Sequence, residues 1–225
     1  MSTNGLSNGE ILDRDPYNSP DPFWKRHAEP LGILAVFIST VFLTVVSFAP
    51  FGNSEAAYVF AVPALFWAYR SPAWKPFSWV VLGASAVAWT LVLSWLHHVS
   101  WLGLFLLGPV IGIWVGSWFL AARWLMPRLL GRPHLTRILA VFGLAALWVI
   151  NEWLRTWLFS GFPWLPLAAS QWQRLSVLQI ASFTGAGGVS FVLISLHIGS
   201  SKSVSVVSNV GARNSSRRCF SRSCV

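Results

Sequence analysis

Residues 138–164 read ILAVFGLAALWVINEWLRTWLFSGFPW. The first thirteen contain no charged or amide side chain, then Asn151, Glu152 and Arg155 follow within one helical turn. A helix over 138–158 would be ~31 Å long at 1.5 Å per residue, enough to cross the hydrocarbon core of a bilayer. Gly161-Phe162-Pro163-Trp164-Leu165-Pro166 cannot prolong it. Proline lacks the amide donor and biases the preceding residue toward extended backbone, while Gly161 permits a tight exit.

The same apolar texture recurs outward from this stretch. Of the 225 residues, 55% are hydrophobic and only 10% charged, far below the ~25% charged of soluble domains. Apolar segments are expected over 31–48, 54–69 (interrupted by Pro63), 77–96, 101–126, 138–158 and 180–199. The fold class is therefore all-α, a polytopic transmembrane bundle of about six spans. The net charge of +9 is carried by loops and tail rather than by a phosphate-reading face, so nucleic acid is excluded as partner and an anionic lipid surface fits. Arg70 and Lys75 fall between spans two and three, and Arg123, Arg128, Arg132 and Arg137 between spans four and five. The intervening loops at 49–53 and 97–100 have no Lys or Arg, and the segment 159–179 has only Arg174. By the positive-inside rule both termini are cytoplasmic and 159–179 faces outward.

Residues 1–30 read as a flexible cytoplasmic arm, without the apolar core of a signal peptide. Residues 200–225 hold nine serines, five basic residues and no acid. They read either as out-of-frame translation beginning near Leu196–Ser201 or as a basic tail against anionic lipid. Both cysteines, Cys219 and Cys224, lie there and supply no disulfide framework. Gly108, Gly112 and Gly116 form a small-residue ridge suited to close helix packing or to a homodimer seam. His97-His98 lacks a third metal ligand nearby, so no metal or other cofactor is expected.

Spacings of four and three let Asn151 and Glu152 reach Arg155 along the helix surface. An unpaired charge at mid-span costs roughly 2.5–3.5 kcal/mol, and less near the interface, so a Glu–Arg pair would lessen that penalty. Two readings stay open. The pair is a strut between helices, or it lines a polar pocket open to the outer leaflet and contacts a lipid headgroup. Phe162 and Trp164 are expected at the membrane surface, anchoring the turn or guiding acyl chains.

Trp148, Glu152, Leu154-Arg155, Gly161-Phe162-Pro163-Trp164, Ser170-Gln171, Gln179 and Gly185…Gly188-Val189-Ser190-Phe191 together resemble bacterial apolipoprotein N-acyltransferase, as does the early Phe48-Ala49-Pro50-Phe51-Gly52 turn. The resemblance is strong over 138–192, weaker but collinear over 31–137. It implies a multi-pass protein of the bacterial inner membrane. Such enzymes move an acyl chain from a phospholipid to a cysteine thiol, then to the free α-amino group of a lipoprotein's diacylglyceryl-cysteine. A nitrilase-type domain with a Glu-Lys-Cys triad performs that chemistry in the family: thiolate attack on an ester, with a base and a cation assisting. No such domain is recognisable in this sequence, and no residue here is assigned a catalytic role.

The expectation is thus the membrane part (31–199) of an acyltransferase-like protein, truncated and inactive alone. Its candidate lipid- or substrate-facing residues are Glu152, Arg155, Gly161, Phe162, Pro163, Trp164 and Gln171, and its partners are membrane phospholipid and a lipoprotein substrate. The rivals are a non-enzymatic membrane protein that binds lipid or a separate catalytic subunit, and a small transporter. The transporter is disfavoured because spans one to four are expected to hold no buried charge other than Glu55 at a span end, and no inverted repeat is evident.

Overall fold

The computed structural model describes residues 23–129, 131–158 and 161–199; the arm 1–22 and the tail 200–225, with its two cysteines, lie outside the described residues. The chain divides into a unit ending at Leu34 and a larger one beginning at Ala35, and the packing described below belongs to the larger. All regular structure among the described residues is helical.

Helix α1 covers Phe23–Ser47 and contains Pro30, so it begins eight residues before the expected 31. In its second half the hydroxyls of Ser39, Thr44 and Ser47 donate to carbonyls three or four residues back, at 3.2, 2.7 and 2.6 Å. These bonds satisfy three hydroxyls within an apolar helix, whereas the buried Thr40 Oγ1 finds no partner. After it, the Asn53 side-chain oxygen accepts from the amides of Glu55 and Ala56 at 3.0 and 3.2 Å, closing the turn.

The expected second span is present but short. It consists of a 3₁₀ turn, Ala56–Tyr58, and the eight-residue helix α2, Val62–Tyr69. Together Ala56–Tyr69 reach ~21 Å, less than the ~30 Å core. Pro63 sits in the first turn of α2, where its missing amide is harmless.

The remaining long helices are α3 (Trp74–Val92), α4 (Trp101–Leu125) and α5 (His134–Arg155). A short α6 (Leu175–Leu178) precedes α7, Ala181–Gly199. Five helices among the described residues are long and apolar enough to cross a membrane.

Helices α3 and α4 pack most closely. A Cβ on Gly112 would lie 2.5 Å from Ala86 Cα, and one on Gly108 2.8 Å from Thr90 Cα. Both contacts are to backbone, so the glycine ridge serves packing within the bundle. Ser100 caps α4, its Oγ accepting from Gly103 N at 3.1 Å. Two tryptophans stitch α4 to α5: Trp118 Nε1 donates to Leu144 O at 2.9 Å and Trp114 Nε1 to Asn151 O at 3.2 Å. An aromatic column runs through the core, with Trp118, Trp148 and Phe60 in successive edge contacts at 5.2 and 5.8 Å. On the outside, Trp79, Leu102, Phe105, Ile138, Leu139 and Phe142 are exposed. Large side chains outward over glycine-rich contacts inward is the arrangement expected when hydrocarbon is the solvent.

Candidate functional site

The site forms where α5 ends, where the segment 161–171 folds back over it, and where α7 begins. Gly161 has φ +82°, and a Cβ there would meet Thr156 O at 2.8 Å. Only glycine tolerates both the left-handed backbone and the contact. Gly161 N donates to Leu158 O and Phe162 N to Arg155 O, each at 2.9 Å, so the chain turns back along its own helix. The returning segment, 161–167, is a hook, irregular through Pro166 and entering the 3₁₀ turn Leu167–Gln171 at its last residue. It needs outside partners for its peptide groups.

Arg155 and Glu152 supply them. Arg155 Nη2 donates to the carbonyls of Trp164 and Leu165, at 3.1 and 3.2 Å. Leu165 has φ +55°, a conformation that a branched side chain rarely adopts. The guanidinium therefore grips the hook at its most strained residue. Glu152 Oε1 accepts from Leu167 N at 2.6 Å and from Trp148 Nε1 at 2.8 Å. The Ser190 hydroxyl of α7 sits beside the same carboxylate and accepts from Ala168 N at 3.1 Å. One acid thus ties together α5 and the hook, with α7 beside them.

Several expected contacts are replaced by these. Glu152 and Arg155 do not form an ion pair; each is engaged with hook backbone instead. Asn151 turns the other way, its Nδ2 donating to Trp114 O at 3.4 Å. The Arg155 charge rests between aromatic faces, 5.1 Å from the Trp89 ring and 5.6 Å from Phe162. Such contacts stabilise a desolvated cation by about 2 kcal/mol. Its Nε and Nη1 find no acceptor in the structure.

Among the candidates, Glu152, Pro163 and Trp164 reach the surface, whereas Arg155 is 2% exposed, Phe162 5% and Gln171 0%. Phe162 packs inward because its amide is held by Arg155 O and its ring covers the guanidinium. Trp164 stays half out, 5.3 Å from Trp95 and 5.4 Å from Phe162. Gln171 is a clasp: its Nε2 donates to Ser54 O at 3.0 Å and to Ser170 Oγ at 3.1 Å. Arg174 and Glu55 pair at 2.7 Å beside it. Both side chains are more than half exposed, so that pair contributes little. Sequence reasoning missed Trp89, Ser54 and the Glu55–Arg174 partnership, which depend on tertiary contacts between distant segments.

Two clefts lie in this part of the molecule, one of them against the hook. One, of about 440 Å³, is polar and lined by Gly52–Glu55 with Gln173 and Arg174. The other, of about 250 Å³, is mostly apolar and lies between α5, the hook prolines and Ala186-Gly187 of α7, with Glu152 in its wall. The rings of His97 and His98 lie tilted against each other, centroids 3.8 Å apart, and among the described residues no three potential metal ligands come together.

Residues 40–198 match the family described as the apolipoprotein N-acyltransferase N-terminal domain. Individual relatives carry the name apolipoprotein N-acyltransferase. That of Methylococcus capsulatus is 46% identical over 72 residues, covering 32% of this chain and 14% of its own. That of Vibrio vulnificus is 29% identical over 181 residues, 74% of this chain and 33% of its own. The Coxiella burnetii protein is 35% identical over 133 residues, 56% of this chain and 27% of its own. The chain spans a third or less of the length of these relatives.

Proposed function

The chain belongs to the apolipoprotein N-acyltransferase family through its membrane domain, and from that membership we propose that it is the lipid-side platform of an enzyme that N-acylates lipoproteins. The reaction takes an acyl chain from a phospholipid and places it on the free amino group of a diacylglyceryl-cysteine. The thiol that carries the acyl group in transit belongs to a nitrilase-type catalytic domain, and this chain alone is inactive. Its location is the bacterial inner membrane, with the hook on the outer face.

The observation that carries this reading is the grip of Glu152 and Arg155 on the hook. Two ionisable side chains near the end of an apolar helix are costly, and both are engaged with the backbone of one short loop. That expense is understandable if the loop must present Pro163 and Trp164 in a fixed place to lipid and to the catalytic part. Arg155 and Gln171 are then positioning residues, and Glu152, Pro163 and Trp164 are the members of the set within reach of a lipid.

The test uses cells depleted of their own N-acyltransferase, with lipoprotein N-terminal peptides weighed by mass spectrometry. Expression of this chain alone should leave lipoproteins diacylated. Joining it in frame to the catalytic part of the Vibrio vulnificus relative should restore the third acyl chain. A correctly inserted fusion with no acylation would refute the platform reading.

A further inference from the structure

The end of the bundle opposite the hook carries a different chemistry. Helices α2 and α4 finish there and α3 and α5 begin there, and α5 runs ~33 Å from His134 to Arg155 at the hook. Their connections hold Arg70, Lys75, Arg123, Arg128, Arg132 and Arg137, while residues 56–151 contain no Asp or Glu. Three of these cations are already engaged. Arg123 Nε donates to Pro72 O at 3.1 Å, Arg128 donates to the Trp124 carbonyl, and the Arg70 guanidinium lies 4.6 Å from the centre of the Phe66 ring.

Arg137 differs. It stands on the first turn of α5, and its Nε is buried without an acceptor. The Tyr69 hydroxyl at the end of α2 is likewise buried with no partner, close enough to feel the Arg137 charge. Helices α2 and α5 both pack on the 3₁₀ turn Met126–Leu129, which keeps the two residues together. Each side chain is partly exposed, so the pair borders the surface. Two donors thus lie near each other with no acceptor, an arrangement that is costly unless something supplies one. A carboxylate is the usual partner of a shielded guanidinium, and these connections have none. Beside Arg137, α5 exposes Leu135, Ile138 and Leu139. An acceptor that arrives with apolar chains answers both features.

We infer that this end of the bundle binds an anionic phospholipid, its phosphodiester oxygens accepting from Arg137 Nε and the Tyr69 hydroxyl, its acyl chains lying along Leu135, Ile138 and Leu139. Guanidinium and phosphate match through two parallel N–H···O bonds. A headgroup without an ammonium fits, because no acid of these connections could receive one. By the loop charges this surface is cytoplasmic. It lies a membrane thickness from the hook, so the lipid is a bound component of the bundle and not an acyl donor.

The test is native mass spectrometry of the full chain in detergent, titrated with phosphatidylglycerol or with phosphatidylcholine of identical acyl chains. Phosphatidylglycerol should bind at least roughly tenfold more tightly, the ratio expected of one charge-assisted bond. Arg137→Gln should erase that preference. Tyr69→Phe, which keeps the ring and its packing, should lower it by roughly threefold or more. Arg132→Gln, which removes an exposed charge of the same connection, should change it by less than roughly twofold. Millimolar inorganic phosphate should fail to displace the lipid. Equal binding of the two lipids, a preference indifferent to Arg137→Gln or to Tyr69→Phe, or a loss in Arg132→Gln that matches Arg137→Gln overturns the proposal. Displacement by phosphate overturns the lipid as the source of the anion. The acylation test of the fusion probes the opposite end of the bundle and stands apart from these results.

Discussion

Replacing Arg155 by methionine separates the stability of the bundle from that of the hook. Methionine keeps most of the side-chain volume between Trp89 and Phe162 but removes both hydrogen bonds to the carbonyls of Trp164 and Leu165. Bonds to a charged donor contribute about 1.5–3 kcal/mol each, and the aromatic contacts add about 1–2 kcal/mol. Against this, the substitution removes a buried charge with no ion pair and two donor nitrogens without acceptors, whose burial costs about 1–3 kcal/mol apiece. Apolar replacement of a buried charge is often close to neutral for global stability. The balance for the whole bundle is therefore a loss of no more than about 2 kcal/mol.

The hook fares worse. Its two carbonyls lose their only side-chain partner, and Leu165 at φ +55° retains left-handed strain of about 1–2 kcal/mol. Opening of 162–167 should become easier by about 1.5–3 kcal/mol, so amide exchange there should accelerate roughly ten- to hundredfold. Exchange in the middle of α4 should change far less. The assay is hydrogen–deuterium exchange with peptide mass spectrometry on the chain in nanodiscs. Adding Leu165→Gly, which removes the left-handed penalty, should recover part of the protection. Unchanged exchange in 162–167, or acceleration spread evenly over the bundle, would refute the view of Arg155 as the anchor of the hook.

Other perturbations follow the same geometry. Gly161→Ala forces a Cβ to 2.8 Å from Thr156 O at φ +82° and should lower stability by about 1–3 kcal/mol, seen as a reduced melting temperature in detergent. Gly112→Leu cannot fit against the Ala86 backbone and should prevent α3–α4 docking, read as loss of monodisperse protein on size-exclusion chromatography. Arg174→Ala should cost under about 1 kcal/mol, because its pair with Glu55 is exposed, whereas Gln171→Ala, which strips a buried clasp from Ser54 O, should cost about 1–3 kcal/mol. Gln173→Cys in a background lacking Cys219 and Cys224 should react with an impermeant maleimide added outside the cell; labelling only after permeabilisation would reverse the orientation.

Much of this architecture is legible in the sequence because the physics that sets it is local. Apolar length fixes α3, α4, α5 and α7 to within a few residues, and the Gly108–Gly116 spacing announces a close helix contact. The hook is equally local, since Gly161, Pro163 and Pro166 forbid a helix there. What escapes is the choice of partner. Helical spacing puts Glu152 within reach of Arg155, yet peptide groups in the hook compete for both, and an unpaired buried peptide group is the more costly alternative. Phe162 turns inward for a reason that lies on α3, where Trp89 provides the other face for the guanidinium. Gln171 finds Ser54 across 117 residues, a distance at which no spacing rule applies. The second apolar segment reads as a span by composition, but the sixteen residues 54–69 reach only ~24 Å as a helix, short of the ~30 Å core.

The most direct test of a lipid-side platform places the hook under functional load. Residues 31–199 would replace the matching segment of the Vibrio vulnificus relative, in cells with no other N-acyltransferase, and the mass of lipoprotein N-terminal peptides would be measured for the parent fusion and for Arg155→Met. Full N-acylation by the parent, and a clear loss in Arg155→Met at equal membrane levels, is the result expected of a held hook. Equal acylation by both would mean that Arg155 and the hook serve the stability of the bundle alone.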